Sequence, residues 1–277
     1  MKKIIFLSLF AAICAFTVPV QAQVKGLNKV AKKAGDAVKE TAKETANETA
    51  TSAKETAGEM ANDAKEVAYD KAANKVSVKI VKWLDDNNKV ASDSYTKRLN
   101  SLVSPKYTSV DGLKLNYKAY TSEEANIIAC ADGSIRVYTG MMDLLDDDQL
   151  LAVIAVQIGH IKNKDVRNSL MKVASEDNAT AAADAQLDKL LSLSGDKLGT
   201  VVNELIQIPY TAAQNTAADN YAYSLLEKNG ANASGLSSAL SKFADMEKEK
   251  DGVATKYTTV NSNNKKRASA ASAVSTM

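Results

Sequence analysis

Hydrophobic and polar positions change rhythm several times along the chain, and each change predicts a different element. Ile4 to Val20 is mostly apolar, follows the basic pair Lys2-Lys3, and ends at Val20-Gln21-Ala22, a small-residue cleavage pattern. This predicts an export signal peptide over 1–22, slightly short for a membrane anchor. From residue 23 the apolar residues thin out and an eleven-residue period takes over. Ala42-Lys43-Glu44-Thr45-Ala46 recurs as Ala53-Lys54-Glu55-Thr56-Ala57 and as Ala64-Lys65-Glu66-Val67-Ala68. Eleven residues make three helical turns at about 3.67 residues each, which puts the alanines on one stripe flanked by Lys and Glu. The stripe is thin, with Val38 and Met60 the only larger aliphatic side chains between Ala31 and Glu66. Alanine buries little area, so the segment builds no core of its own. It is expected as a helical or disordered spacer over 23–75.

From Val76 the texture is that of a folded domain, expected over 76–267. Val76, Val78, Ile80, Val81, Trp83 and Leu84 are dense and apolar, Tyr95, Leu99, Leu102 and Val103 continue at helical spacing, and Pro105 ends the run. Leu113, Leu115, Tyr117 and Ala119 then alternate as a strand does. Asn126–Ala131 and Ser134–Tyr138 are two further strand-like runs, with the hairpin signal Asp132-Gly133 between them. Asp146-Asp147-Asp148 supplies a cap and an acidic first turn for a helix. It lacks the glycine and further acidic ligand that a calcium loop needs. Leu150, Leu151, Val153, Ile154, Val156, Ile158 and Ile161 make that helix apolar on most of its surface, hence buried. Helical stretches are expected at Val166–Leu193, Lys197–Ile208, Thr211–Lys228 and Ser234–Lys248, with Asn229-Gly230 as a stop. The last ten positions, 268–277, are Ser/Ala-rich and expected as a mobile tail. The fold class is α+β, mostly helical, with a small antiparallel sheet and a long repeat helix in front.

Composition sharpens this. The 277 residues are 45% hydrophobic and 25% charged, the profile of a globular domain. Lys+Arg is 35 and Asp+Glu is 33; removing 1–22 takes away Lys2 and Lys3 and no acid, leaving 33 of each sign. Such balance argues against a nucleic-acid partner, which needs a concentrated basic face. A membrane surface stays open as a partner through 24–75, although Lys and Glu nearly cancel there. Cys130 is the only cysteine beyond the signal, so no intramolecular disulfide forms despite an oxidising destination. It is expected as a small strand residue facing the core. His160 is the single histidine, which excludes any site needing two imidazoles from one chain.

Val137-Tyr138-Thr139-Gly140-Met141-Met142-Asp143-Leu144-Leu145, Asp148-Gln149-Leu150-Leu151-Ala152-Val153-Ile154-Ala155 and Ile158-Gly159-His160-Ile161 form one block. Pro209-Tyr210 through Gln214 to Ala218-Asp219-Asn220-Tyr221-Ala222-Tyr223 forms a second. In this order the blocks resemble the HtpX-type and Oma-type zinc metallopeptidases, relatives of the CAAX prenyl proteases. The resemblance runs from about Tyr107 to Arg267 and implies a gluzincin-like metallopeptidase domain. Members of that family bind zinc through the two histidines of H-E-x-x-H, and the glutamate activates metal-bound water. Here the motif reads Val156-Gln157-Ile158-Gly159-His160. Val156 has no donor atom, and Gln157 takes no proton from water at neutral pH. The third ligand, a glutamate opening an E-A-D triplet, maps onto Ala217 of Ala217-Ala218-Asp219. The resemblance implies a supporting role for Asp219, a hydrogen bond to His160. It also pairs Arg267 with the arginine after a Ser-His-Pro stretch, although Thr259–Arg267 contains no histidine. Lys265-Lys266-Arg267 otherwise reads as a solvated basic cluster.

With one ligand of three, His160 at most, no resident zinc is expected. The implied protein is an exported, periplasmic or envelope-located pseudoenzyme. It would hold a peptide or protein in a remnant groove around His160, Asp219 and Arg267. Two alternatives stay open. One is an active zinc metalloendopeptidase with unorthodox ligands. The other is a structural or surface-associated envelope protein acting through its helical repeat.

Overall fold

The computed structural model describes residues 62–175, 188–189, 191–249 and 252–274. The export signal and all of the repeat before residue 62 lie outside the described residues. A compact unit runs from Ala64 to Met277. It therefore begins within the last repeat copy, ahead of the change of texture at Val76. The reason lies in helix α1, residues 62–87. Ala72, Ala73, Val76, Ile80 and Leu84 recur at helical spacing and are all buried. One turn earlier Glu66 and Asp70 accept from Arg167 at 2.6 and 2.9 Å. The end of the repeat is thus fastened to the domain by charge and the next two turns by apolar packing.

Helix α2 (Asp93–Val103) stops before Pro105, as the sequence predicts. The strands follow: β1 (Ser109–Val110), β2 (Leu113–Lys114), β3 (Asn116–Tyr120), β4 (Ile127–Ala129) and β5 (Ser134–Tyr138). β1 and β2 pair by themselves, and the other three form one sheet in the order β3-β5-β4. The β4–β5 hairpin is antiparallel, but β3 runs parallel to β5, so the sheet is mixed where an antiparallel one was expected. The tight turn at Asp132-Gly133 puts Gly133 at φ +92°, and an added Cβ there would lie 2.1 Å from the Lys114 carbonyl oxygen. Only glycine serves at that point. The 89–91 segment covers the outer edge of β3, through Ala91 N–H to Ala119 C=O and Thr121 N–H to Lys89 C=O.

Two apolar clusters sandwich the sheet. Tyr120, Ile128 and Cys130 face α1 and pack with Val76, Ile80 and Leu84. Ala119, Ile127, Ala129, Ile135 and Val137 face the larger cluster around the central helix. Cys130 is a free, buried core residue, and burial pushes its thiol pKa up.

After α3 (Thr139–Leu144) comes that central helix, α4 (Asp147–Lys162). Asp146 caps it in a box with Gln149, and every residue from Gln149 to Ile161 is buried. The remaining helices are α5 (Asp165–Ser175), α6 (Gly195–Leu205), α7 (Ala212–Lys228), α8 (Ser234–Met246), α9 (Thr255–Val260) and α10 (Asn264–Val274); α5, α7 and α8 pack on α4, α6 packs on α5, and α9 and α10 pack on α8. Of the helix expected over Val166–Leu193, the described residues are helical through Ser175 and again at 188–189 and 191–192. α10 occupies most of the expected mobile tail, because Ala268 and Ala271 are buried along one face. Among the described residues no helix is long and apolar enough to cross a membrane.

Candidate functional site

Val156, Gln157 and His160 all lie on α4 and are at most 3% exposed. Gly159 beside them lets α7 come close. A Cβ there would sit 2.8 Å from the Ala218 carbonyl oxygen and 3.0 Å from its Cα. The packing that surrounds His160 therefore depends on a residue with no side chain.

His160 has no exposed surface and its ring is held from two sides. Its Nδ1 lies 2.9 Å from Oδ2 of Asp165. The chain reverses after α4 through Lys164, at φ +64°, and this returns Asp165 to the ring from the start of α5. A carboxylate only accepts, so Nδ1 carries the proton. Burial lowers the His160 pKa below its ordinary value against the opposing pull of Asp165. The ring is neutral, and its Nε2 is a bare acceptor without a partner. Gln214 Nε2 donates to the other Asp165 oxygen at 3.0 Å. Tyr210 stacks on the imidazole with centroids 3.8 Å apart and planes 12° apart.

Tyr210 also organises the rest of the pocket. Its N–H donates to the Val260 C=O at 3.1 Å, next to Asn261. Its C=O accepts from Asn215 Nδ2 at 3.5 Å. Asn215 and Asn261 are buried, and neither Oδ1 has a partner; Gln157 Nε2 makes no hydrogen bond of ordinary geometry, and its amide leans toward the Tyr257 hydroxyl with one of its two N–H groups. An unpaired buried polar atom costs roughly 1–3 kcal/mol, so four around one tyrosine is a feature that asks for a cause.

The cleft beside these residues is lined by Ile127, Ala129, Gln157, Ile206, Tyr210 and Asn261, among others. One wall is the free edge of β4. Tyr138 N–H donates to Asn126 C=O and Cys130 N–H to Ser134 C=O, so the even-numbered residues bond inward. By alternation the backbone groups of Ile127 and Ala129 point out of the sheet. Asn126 Oδ1 accepts from the Ile127 N–H at 2.8 Å.

The other expected site residues part company with His160. Asp219 and Arg267 form a buried bidentate pair, Nε to Oδ2 at 2.8 Å and Nη2 to Oδ1 at 2.6 Å. The hydrogen bond to His160 expected of Asp219 is made by Asp165 instead. Arg267 is buried, unlike the exposed Lys265 and Lys266. Its guanidinium needs a carboxylate there, and Asp219 supplies it. Ala217, expected at the third-ligand position, is exposed. The inward face of α7 is Asn215, Ala218, Asp219 and Ala222. Asn215, two positions before Ala217, is therefore the α7 residue that reaches the pocket.

Would these residues hold zinc? Among the described residues no group of three or more His, Cys, Asp or Glu is placed to hold a metal ion. At His160 the neighbours are the methyls of Val156 and the neutral amides of Gln157 and Asn215. Asp165 is committed to Nδ1 and Gln214, and Asp219 to Arg267. This donor set does not fit the His, His and carboxylate ligands of a catalytic zinc.

Asp165, Asn215, Tyr210 and Asn261 were not singled out from the sequence. Asp165 was detectable as the first acid past a helix end. Asn215 was detectable as a polar residue one turn before Asp219. Asn261 carried no signal.

Residues 95–273 match the description Peptidase family M48. Metalloprotease LoiP of Escherichia coli (strain K12) is 34% identical over 158 residues, 57% of this chain and 62% of that protein. Metalloprotease YcaL of the same organism is 29% identical over 172 residues, 59% of this chain and 65% of that protein. The chain thus spans less than two thirds of the length of either curated relative.

Proposed function

The chain belongs to peptidase family M48, and from that premise we propose that it is a non-catalytic member. It is exported to the periplasm or cell envelope, where its cleft holds an extended peptide or protein segment without cutting it. The observation that carries this reading is the company of His160. One neutral imidazole stands among Val156, Gln157 and Asn215, where hydrolysis needs further ligands and a base. A carboxamide at 157 has no basic oxygen for a water proton. The export signal expected over 1–22 supports the location.

The edge of β4 supports the binding mode. The Ile127 C=O and the Ala129 N–H and C=O face out of the sheet, the Ile127 N–H gives up its bond to Asn126 Oδ1 to join them, and strand addition needs no metal. A new strand would lie about 4.8 Å outside β4. The relatives' names describe proteases; this chain keeps the frame and uses it for retention.

Metal analysis by mass spectrometry after exhaustive dialysis, with casein digestion run with and without a chelator, tests the reading. Zinc at background level and intact casein are expected. Stoichiometric zinc together with chelator-sensitive cleavage would overturn it and support an active peptidase with unorthodox ligands.

A further inference from the structure

The unpartnered atoms around Tyr210 form a pattern. Gln157 Nε2 is a donor, while Asn215 Oδ1, Asn261 Oδ1 and His160 Nε2 are acceptors. The four residues are 3%, 1%, 3% and 0% exposed. Gln157 and Asn261 both line the cleft that runs along β4. They come from different elements, α4 and the turn after α9, so their convergence is a product of the fold. Asn261 is oriented by its other end, since Nδ2 donates to the Tyr257 C=O at 3.2 Å.

The pattern selects a ligand class. Both nearby carboxylates are already engaged, Asp165 by His160 and Gln214 and Asp219 by Arg267. A cationic or anionic group would enter a buried space with no counter-ion, at a cost that hydrogen bonds to neutral amides do not offset. An aliphatic group would leave the open donor and acceptors unpaired. A primary carboxamide is neutral and offers one acceptor oxygen and two N–H donors, the complement of one donor among several acceptors.

We propose that the cleft contains a carboxamide subsite. A peptide added along β4 places an Asn or Gln side chain there, its C=O accepting from Gln157 Nε2 and its NH2 donating to Asn261 Oδ1. The main chain is occupied with Ile127 and Ala129, which leaves a side chain to reach inward. This rests on the strand-addition reading above and adds the identity of the recognised side chain.

The test uses the full chain and four Val/Ala pentapeptides, N-acetylated and closed as C-terminal methylamides, with Gln, Glu, Lys or Leu at the centre. NMR titration follows the backbone amides of Ile127 and Ala129 and the side-chain amide of Gln157. All four peptides are expected to shift Ile127 and Ala129, with the Gln peptide bound about tenfold more tightly and alone moving the Gln157 side chain. Gln157→Glu, which keeps the shape and loses the donor, should erase that preference. Asn261→Leu should do the same independently. Equal binding of all four peptides, or a preference that survives both substitutions, overturns the carboxamide subsite and leaves strand addition standing. No shift at Ile127 and Ala129 with any peptide overturns both.

Discussion

Two buried polar clusters in this domain are built to different standards. Around Arg136 the bonding is complete. Asp85 on α1 accepts from Arg136 Nε at 3.0 Å and Nη2 at 3.3 Å, from Lys118 at 2.7 Å, and from the Tyr120 hydroxyl. Arg136 Nη1 reaches Asn116 Oδ1 at 2.9 Å. This cluster fastens α1 to the sheet. Around Tyr210, by contrast, four buried atoms go unpaired. A cluster that only holds architecture together closes its own hydrogen bonds, since each open one weakens the fold. The contrast separates a cluster that closes its own hydrogen bonds from one that leaves them open.

The largest expected effect comes from converting the open cluster into ligands. Val156→His, Gln157→Glu and Asn215→Glu together should change the protein from no measurable zinc to stoichiometric zinc by mass spectrometry. The same pair of α4 changes with Ala217→Glu should bind far less, because Ala217 is exposed. Equal uptake by the two triple variants would contradict the inward face assigned to α7.

Next is the closed cluster. Asp85→Ala leaves a nearly inaccessible guanidinium without its carboxylate and should cost about 3–5 kcal/mol in urea denaturation. A loss under about 1 kcal/mol, the range of exposed pairs, would mean that the network does not fasten α1. Gln157→Leu should have the opposite sign, neutral or stabilising by about 1 kcal/mol in the same assay, since it removes an unpaired donor from the interior. Clear destabilisation would show that Gln157 has a partner in solution and would weaken the contrast between the clusters.

The smallest effect is a pH slope. Burial raises the Asp85 pKa, and the hydrogen bonds from Lys118, Tyr120 and Arg136 outweigh it, holding the carboxyl at about 2 against an ordinary 3.8. A lowered folded-state pKa means that stability from this group is fully present above the unfolded value. It is lost as pH falls from about 3.8 through 2. Thermal melts across that window should decline less steeply in Asp85→Asn than in the parent. Parallel curves would remove Asp85 from the acid sensitivity.

Much of the frame was readable in one dimension. The unbroken apolar run from Leu150 to Ile161 announced a helix buried all round, and Asp146 with Gln149 marked its start. Asp132-Gly133 marked the hairpin. The parallel pairing of β3 with β5 was not readable, because strand alternation says which face is buried and nothing about direction. Nor was the docking of the helix that continues the repeat: Ala73 looks like any other alanine until it packs with Tyr120, Ile128 and Cys130 of the sheet. Arg267 belonged in sequence to a basic cluster, and only the approach of α7 paired it with Asp219.

The sequence alone determined that His160 is the single histidine, with Val156 and Gln157 four and three positions before it. Residue identity decides that, because donor atoms and proton affinity are properties of the side chain. The tertiary structure decided which residues keep that histidine company. Asp165, Tyr210 with Asn215, and Asn261 come from three segments with no common spacing, and helix and turn packing brings them together. It also turned Ala217 outward, since two positions along a helix is about 200° of rotation.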